Sequence, residues 1–519
     1  VSGSKPPLPD WLDPLPDAAA QRALDGWAIE QRGIPGAELM ERAGRGLFEL
    51  VQRHLPTGTI AVVCGKGNNG GDGLVVARLL RDAGREVDVH LLCDPTELRG
   101  DARFNLERLP GSPPRVFNPG ALFEVAGIVD AVLGTGAGGA PHGVTGDAVE
   151  TIAEAAVHGV PVIACDVPSG VDGSTGEVAG AAVQAVATAT FHAAKPGLWI
   201  APGKQRAGEV SVFDIGIPAD DRPPETTPRA GLIDGAVIGE LPRRGADATK
   251  FSGGAVLVCG GSTGLSGAPS LAALAAGRAG AGYVTALVPA SLNVVFELRQ
   301  AEVMSVPLPE EEGGLSPTAL ELALERCGRA DALVLGPGLG RAPGAAELAR
   351  ALAVEAPLPL LLDADGLNAH AGQLETLAVR EHPTVLTPHG GELARLLDVS
   401  SDEVRAHRLG LARQAALRSR AIVVLKGDDT LVATPDGRVG ISRGNAPALA
   451  TAGTGDVLSG TIGALLARGV EPFTAACAGV ELHRRAGRLV GERIGVEGAL
   501  ASDVAEALPA ARRDAAAVG

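Results

Sequence analysis

The segment Thr451–Gly460, TAGTGDVLSG, sets two glycines and a threonine directly before a carboxylate at the start of an apolar run. If Gly453, Thr454 and Gly455 open a helix, unpaired amides and the positive end of the helix dipole converge on one point. That point suits a transferring phosphoryl group, and Asp456 in the first turn could take the proton of an attacking hydroxyl. The plainer role for Asp456 is a charge cap. In VVLKGDDTLV, Lys426, Gly427, Asp428, Asp429 and Thr430 join two strands and either cover a nucleotide's ribose and phosphates or simply turn a hairpin. His389 and Glu392, in VLTPHGGELARLL, sit where a strand end enters a helix. Glu392 there could hold a hydrated magnesium ion and His389 could reach a substrate, although a lone histidine is commonly structural. GGSTGLSGAPSLA and GPGLG bring Ala268 and Gly338 to places where a flat ligand could approach the backbone. Asp363 and Asp365, in LLLDADGLNAH, are metal-binding or structural.

The amino-terminal half carries a second set. In TIAVVCGKGNNGGDGLVVARLL, Gly65, Gly67 and Gly70 satisfy G-x-G-x-x-G, with Asp88 further along. Three readings stand side by side: a dinucleotide pyrophosphate loop, a tight turn, or a loop of hard oxygen ligands supplied by Asn68, Asn69 and Asp72. IVDAVLGTGAGGAPHG puts Asp130 in a strand and a glycine loop, Gly134–Ala140, at its end. VIACDVPSGVDG does the same for Asp166 and Ser169, and Lys195 follows in FHAAKPG. Ligands of open α/β sheets bind at such strand ends, so three converging loops point to a pocket.

These residues need a scaffold of strands ending in glycine loops and running into helices. Such alternation recurs twice along the 519 residues, around Thr59–Cys64, REVDVHLLC, GIVDAVLG, PVIACDVP and GEVSVFDIG, and again around GAVLVCGG, AGYVTALVP, ALVLGPG, PLLLDAD, TVLTP and AIVVLKG. Alternating strands and helices imply parallel sheets covered on both faces. The fold expected is α/β, a Rossmann-like three-layer αβα domain over residues 1–217 followed by a second αβα domain over 232–519. The Pro-, Asp- and Thr-rich stretch 218–231 reads as a linker.

Composition excludes several classes. A net charge of −16 and 3% aromatics argue against nucleic acid as a partner. The cysteines (Cys64, Cys93, Cys165, Cys259, Cys327, Cys477) are scattered without a CxxC pair, as expected of reduced buried thiols. The amino-terminal VSGSKPPLPDWLDPLPD has no apolar core of a signal peptide, and no window offers about 20 uncharged apolar residues, so a cytoplasmic protein with no membrane partner is expected.

Taken together, GIPGAELMERAG, GNNGGDG, VDAVLGTG and DVPSGVDG make the span from about Asp17 to Pro218 resemble the YjeF N-terminal domain, the epimerase of NAD(P)H-hydrate repair. The span from about Leu241 to Leu508 resembles the ribokinase-like superfamily and, within it, the ADP- or ATP-dependent NAD(P)H-hydrate dehydratases, through GGSTGLSGAPSLA, LGPGLG, LDADGLN, TPHGGE, LKGDDT and TAGTGDVLSG. Ala452 stands where that family would lead one to expect a glycine. The resemblance implies epimerisation of R- and S-NADHX or NADPHX and dehydration of the S epimer at the expense of ADP or ATP, giving AMP and phosphate in the ADP case. It implies that Asn68, Asn69, Gly70, Gly71 and Asp72, with Gly134, Thr135, Gly136, Ala137, Gly138, Gly139 and Ala140, contact the hydrated nucleotide. Asn69, Asp130 and Ser169 would bind potassium. Asp166 would act at the nicotinamide hydrate, with Lys195 a second candidate or a surface lysine. In the second domain Ala268, Gly338, His389 and Asp456 would contact the hydrate, and Lys426 to Thr430 with Gly455 would contact the adenine nucleotide, with Mg2+ as cofactor. Relatives of the second domain often assemble, so a homo-oligomer is expected. The alternative is a vitamin-precursor kinase whose amino-terminal domain binds ligand without catalysis.

Overall fold

The computed structural model describes residues 6–515; the start of the proline-rich amino-terminal stretch lies outside the described residues. The chain forms two compact units.

The first, Pro14–Gly231 with Ala406–Arg408, is built on a 7-stranded sheet. Its strands run in the order Arg115–Val116, Val87–Leu91, Ile60–Cys64, Gly127–Ala131, Val162–Cys165, Ala187–Phe191 and Glu209–Phe213, and every pairing is parallel. The central strands are apolar on both faces because helices cover both. Ile60, Val62 and Cys64 pack into one cluster with Leu47, Leu50 and Leu74, whereas Ala61 and Val63 join another with Val149 and Ile152. The strand Ala187–Phe191, ATATF, carries little signal in the sequence, because alternating alanine and threonine show weak apolar character.

Among the described residues the second unit takes 6–13, Leu232–Arg405 and 409–515. Its 11-stranded sheet has a parallel run from Met304–Leu308 through Tyr283–Pro289, Ala255–Cys259, Ala332–Leu335, Leu360–Leu362 and Thr384–Leu386 to Ile422–Leu425. Leu431–Ala433 and Val439–Ile441 continue it antiparallel, and Ala230–Ile233 and Leu12–Leu15 complete that edge.

Two expected boundaries therefore need correction. Residues 6–13 group with the carboxyl-terminal unit, because Leu12–Leu15 extends its sheet. The stretch 218–231 is not a bare linker. Asp220 accepts from Arg32 Nη2 at 3.0 Å, Thr226 is buried in the turn Pro224–Thr226, and the last residues enter a strand too short to show a period. The cysteines follow expectation: all are free, and all but the half-buried Cys93 are buried. Among the described residues no helix is long and apolar enough to cross a membrane.

The helix Thr454–Ala467, which opens with the glycine-rich TGD segment, lies against the helix Gly267–Ala279 with backbones nearly touching. A Cβ on Gly460 would stand 1.9 Å from the Ala272 carbonyl oxygen. The atoms it would meet are helix backbone in a filled core, so nothing can yield cheaply. Gly460→Ala is expected to cost about 1–3 kcal/mol and to lower the thermal midpoint of this unit by roughly 3–10 °C, read by scanning calorimetry.

Candidate functional sites at the carboxyl ends of two parallel sheets

In the amino-terminal unit a cleft of about 740 Å³ opens at the carboxyl ends of the central strands. The GNNGGDG segment differs from the loop expected. The helix begins at Asn68, capped by Gly67, so Asn68 to Asp72 form its first turn rather than a preceding loop. Glycine makes this possible, since a Cβ on Gly70 would meet the Gly65 carbonyl oxygen at 1.9 Å and one on Gly71 the Met40 sulfur at 2.6 Å. Asn68, Asn69 and Asp72 line the cleft, as do Gly134, Thr135, Gly136 and Ala137; Gly70, Gly71, Gly138, Gly139 and Ala140 are not among its lining residues. Asp88 stays on its strand, 3.7 Å from Arg115, and is not brought to the cleft, which removes the ribose partner of a dehydrogenase-type fingerprint.

Asp166 is held in the left-handed region, with φ at 66°. Its Oδ2 accepts from Thr135 N at 2.9 Å and Thr135 Oγ1 at 2.5 Å. Its Oδ1 lies 2.8 Å from Lys195 Nζ. Lys195 is no surface residue: it is 1% exposed and also donates to Thr190 Oγ1 at 3.0 Å and Phe191 O at 2.9 Å. Burial alone would push the Asp166 carboxyl up, but the Lys195 ammonium and the Thr135 hydrogen bonds together hold it below the ordinary range. Asp72 goes the other way, pushed well up by burial and by the facing carboxylates of Asp166 and Asp25, with Lys195 opposing.

Asp130 and Ser169 sit behind the cleft, fully buried. Asp130 accepts from Ser169 Oγ at 2.6 Å and Ser169 N at 2.8 Å, and Ser169 Oγ accepts from Leu133 N at 2.9 Å. Burial raises Asp130 to about 6 against those hydrogen bonds. Asn69 is buried, and neither its Oδ1 nor its Nδ2 has a hydrogen-bond partner. An orphaned buried amide oxygen fits a cation's ligand shell.

The second site is built on the helix Thr454–Ala467. Gly453, at φ 90°, caps it in the left-handed region. Lys426 Nζ stands 3.5 Å from where a Gly455 Cβ would lie. That ammonium is 2.8 Å from Asp363 Oδ1 and 3.7 Å from Glu392 Oε2, while Asp363 Oδ2 accepts from Ser459 Oγ at 2.7 Å. Asp363 is thus an anchor for Lys426, and Asp365 accepts from Gly340 N at 3.0 Å. Glu392 closes a capping box with His389: its Oε2 accepts from His389 N at 2.8 Å, and His389 Nδ1 accepts from Gly391 N at 3.0 Å. Asp456, beside Lys426, is raised to about 7 by burial first and then by Asp363 and Glu392, with Lys426 opposing.

A cavity of about 330 Å³ lies at this helix start, lined by Lys426, Gly427, Asp428, Thr430 and Gly455. Asp429 is buried and is not among its lining. Ala268 and Gly338 meet each other instead, with a Gly338 Cβ position 3.2 Å from the Ala268 Cβ; they and His389 lie outside that cavity's wall. Among the described residues no group of three or more His, Cys, Asp or Glu is placed to hold a metal.

Sequence reasoning missed Gln21 and Asp25 in the cleft and His483 in the cavity. The signal for the first pair was polar residues on the buried stripe of an amphipathic helix, alongside Leu24 and Ala28.

Comparison with known proteins gives a consistent result. A family model described as NAD(P)H-hydrate dehydratase matches residues 256–510, and one described as YjeF-related protein N-terminus matches residues 36–197. The bifunctional NAD(P)H-hydrate repair enzyme Nnr of Moorella thermoacetica is 40% identical over 95% of this chain and 96% of its own. Its counterpart in Salinibacter ruber is 40% identical over 96% and 95%, and that of Escherichia coli 34% over 92% and 90%. A solved ADP/ATP-dependent NAD(P)H-hydrate dehydratase from Bacillus subtilis, co-crystallised with ATP and Mg2+, is 28% identical, covering 54% of this chain and 96% of its own at a TM-score of 0.45.

The Lys195–Asp166 pair yields a stability prediction. Lys195→Met strands a buried carboxylate and is expected to cost about 3–5 kcal/mol in urea unfolding at neutral pH. A carboxyl with a lowered native pKa stabilises above its unfolded value and loses that contribution in acid, so the gap between wild type and variant should narrow as pH falls below the ordinary aspartate range.

Proposed function

The chain belongs to the family of bifunctional NAD(P)H-hydrate repair enzymes, and we propose that its two sites divide that work between epimerising hydrated NAD(P)H and dehydrating it. It is an NAD(P)H-hydrate epimerase and an ADP/ATP-dependent NAD(P)H-hydrate dehydratase. The kinase alternative is set aside, because the relatives sharing nearly the whole chain are repair enzymes in both halves.

The observation that carries the assignment of roles is Lys426 at the first turn of Thr454–Ala467, where it opens onto a cavity. Lys426, Gly427, Asp428 and Thr430, with the Gly455 amide, receive the adenine nucleotide's ribose and phosphates. Asp429, buried in the same loop, holds its shape. Hydroxide is a poor leaving group, and a phosphoryl group placed on the C6 hydroxyl makes it a good one. Asp456 takes the proton of that hydroxyl, Lys426 and the helix amides steady the phosphoryl charge, and the ring then expels phosphate. Ala268, Gly338 and His389 approach the hydrated nicotinamide. A magnesium ion would supply charge neutralisation on the phosphates. Lys426 already stands between Asp363 and Glu392, so the ion would be held through water and phosphate rather than by a carboxylate cage.

In the cleft, Asn68, Asn69, Asp72 and Gly134 to Ala137 contact the hydrated nucleotide, with Asp166 at the reacting ring. A potassium ion would be held by Asn69, Asp130 and Ser169, where it would fix the neighbouring loops; the orphaned Asn69 amide supports this.

The test mixes the full chain with NADHX and ADP or ATP and follows the return of reduced-nicotinamide absorbance, with chiral chromatography for the epimers. Asp456→Asn is expected to lower dehydration by about 10²-fold or more while epimerisation continues. Loss of both activities in a folded variant would overturn the division of roles. Because Asp456 must be deprotonated to accept a proton and its pKa is about 7, dehydratase kcat/KM should climb with pH up to about 7 and level off above it.

A further inference from the structure

The helix Ala18–Glu30 brings to the cleft two side chains that none of these roles uses. Gln21 and Asp25, one turn apart, both line it. Gln21 Nε2 donates to Asp25 Oδ1 at 2.9 Å, which fixes the amide's orientation. Gln21 is 9% exposed, and its Oε1 is buried with no hydrogen-bond partner. A buried acceptor left unmade costs about 1–3 kcal/mol, so its retention in a ligand cleft marks where a substrate N–H or O–H belongs. Asp25 therefore sits beside an acceptor waiting for a ligand, in the cleft that also holds Asp166, Lys195 and Asp72.

The electrostatics separate the carboxyls. Burial raises Asp25 above the ordinary aspartate range, with Asp166 adding repulsion and the Gln21 hydrogen bond and Lys195 opposing. Asp166, paired with Lys195, is held below that range. Paired groups pushed apart in this way are how one site holds an acid and a base together.

We propose that Asp25 is the general acid of C6 epimerisation and that Gln21 Oε1 accepts from the carboxamide of the nicotinamide ring, with Asp166 serving as the base. This rests on the epimerase reading above. Asp25 gives its proton to the C6 hydroxyl oxygen as the C6–O bond breaks. Water leaves, and the lone pair of the ring nitrogen forms a C=N bond, giving an iminium cation. A water molecule then bonds to C6 from the other face and passes a proton to the Asp166 carboxylate, and the C=N electron pair returns to nitrogen. Each inversion releases one water and consumes one, and proton exchange with solvent restores Asp25. In the reverse direction the two carboxyls exchange roles.

The experiment uses the full chain with potassium, a single NADHX epimer and 18O-labelled water, with chiral chromatography and mass spectrometry of the product. Inversion by the wild type should carry one solvent oxygen into C6 per event. Asp25→Asn should lower the epimerisation kcat by about 10²-fold or more with KM nearly unchanged, and Asp25→Glu should restore part of it. Gln21→Leu should raise KM with a smaller effect on kcat. If Asp25→Asn fails to fold, the part-restored rate and altered pH profile of Asp25→Glu carry the same test. An Asp25→Asn enzyme within threefold of wild-type kcat, or inversion without label, overturns the proposal while leaving the epimerase assignment intact. A wild type that does not invert NADHX at all sinks that assignment instead.

Discussion

A lysine ammonium clamped against a buried carboxylate organises each unit: Lys195 on Asp166 in the first, Lys426 on Asp363 in the second, each at 2.8 Å. Neither charge could sit at such depth alone, because stripping an ion of water costs far more than a folded domain can spare. Paired, each lysine becomes a fixed source of positive potential at the carboxyl end of a parallel sheet. The other acids are set by burial, which the lysine only partly offsets. Asp166 stays ionised; Asp72, Asp25 and Asp456 are all raised, burial being the largest cause in each case.

The scaffold explains why both pairs lie where they do. Parallel strands deliver their carboxyl ends to one edge, and each following helix starts there with unpaired amides. Close approach of backbones fixes both helices, at Gly70 over Gly65 in the first turn of one and at Gly460 over Ala272 midway along the other. The side chains that do chemistry thus come from segments far apart in sequence and need little freedom once folded.

Much of this was legible in the residues. Glycine loops after β-branched runs announced the strand ends, and the Asp456 segment announced a helix start. What escaped notice did so for physical reasons. The strand Ala187–Phe191 alternates small and polar residues, and the helix at Asn68 begins inside a run of glycines that propensity alone disfavours. The burial of Lys195 depends on Asp166, which an earlier strand end brings to it, and no local window displays that charge partner. Gln21 and Asp25 look like ordinary polar residues of an amphipathic helix, because the wall they face is built by later segments. The grouping of the chain's start with the second sheet was invisible for the same reason, since its partner strand lies more than two hundred residues downstream.

The placement of sulfur has a consequence of its own. Burial raises every cysteine: Cys327 to about 11, and Cys64, Cys93, Cys165, Cys259 and Cys477 likewise upward. Thiolate, not thiol, is the form that peroxide and alkylating electrophiles attack, so at neutral pH these side chains offer almost no nucleophile. The packing that fills the two sheets thereby keeps the thiols in the form least open to oxidation and alkylation.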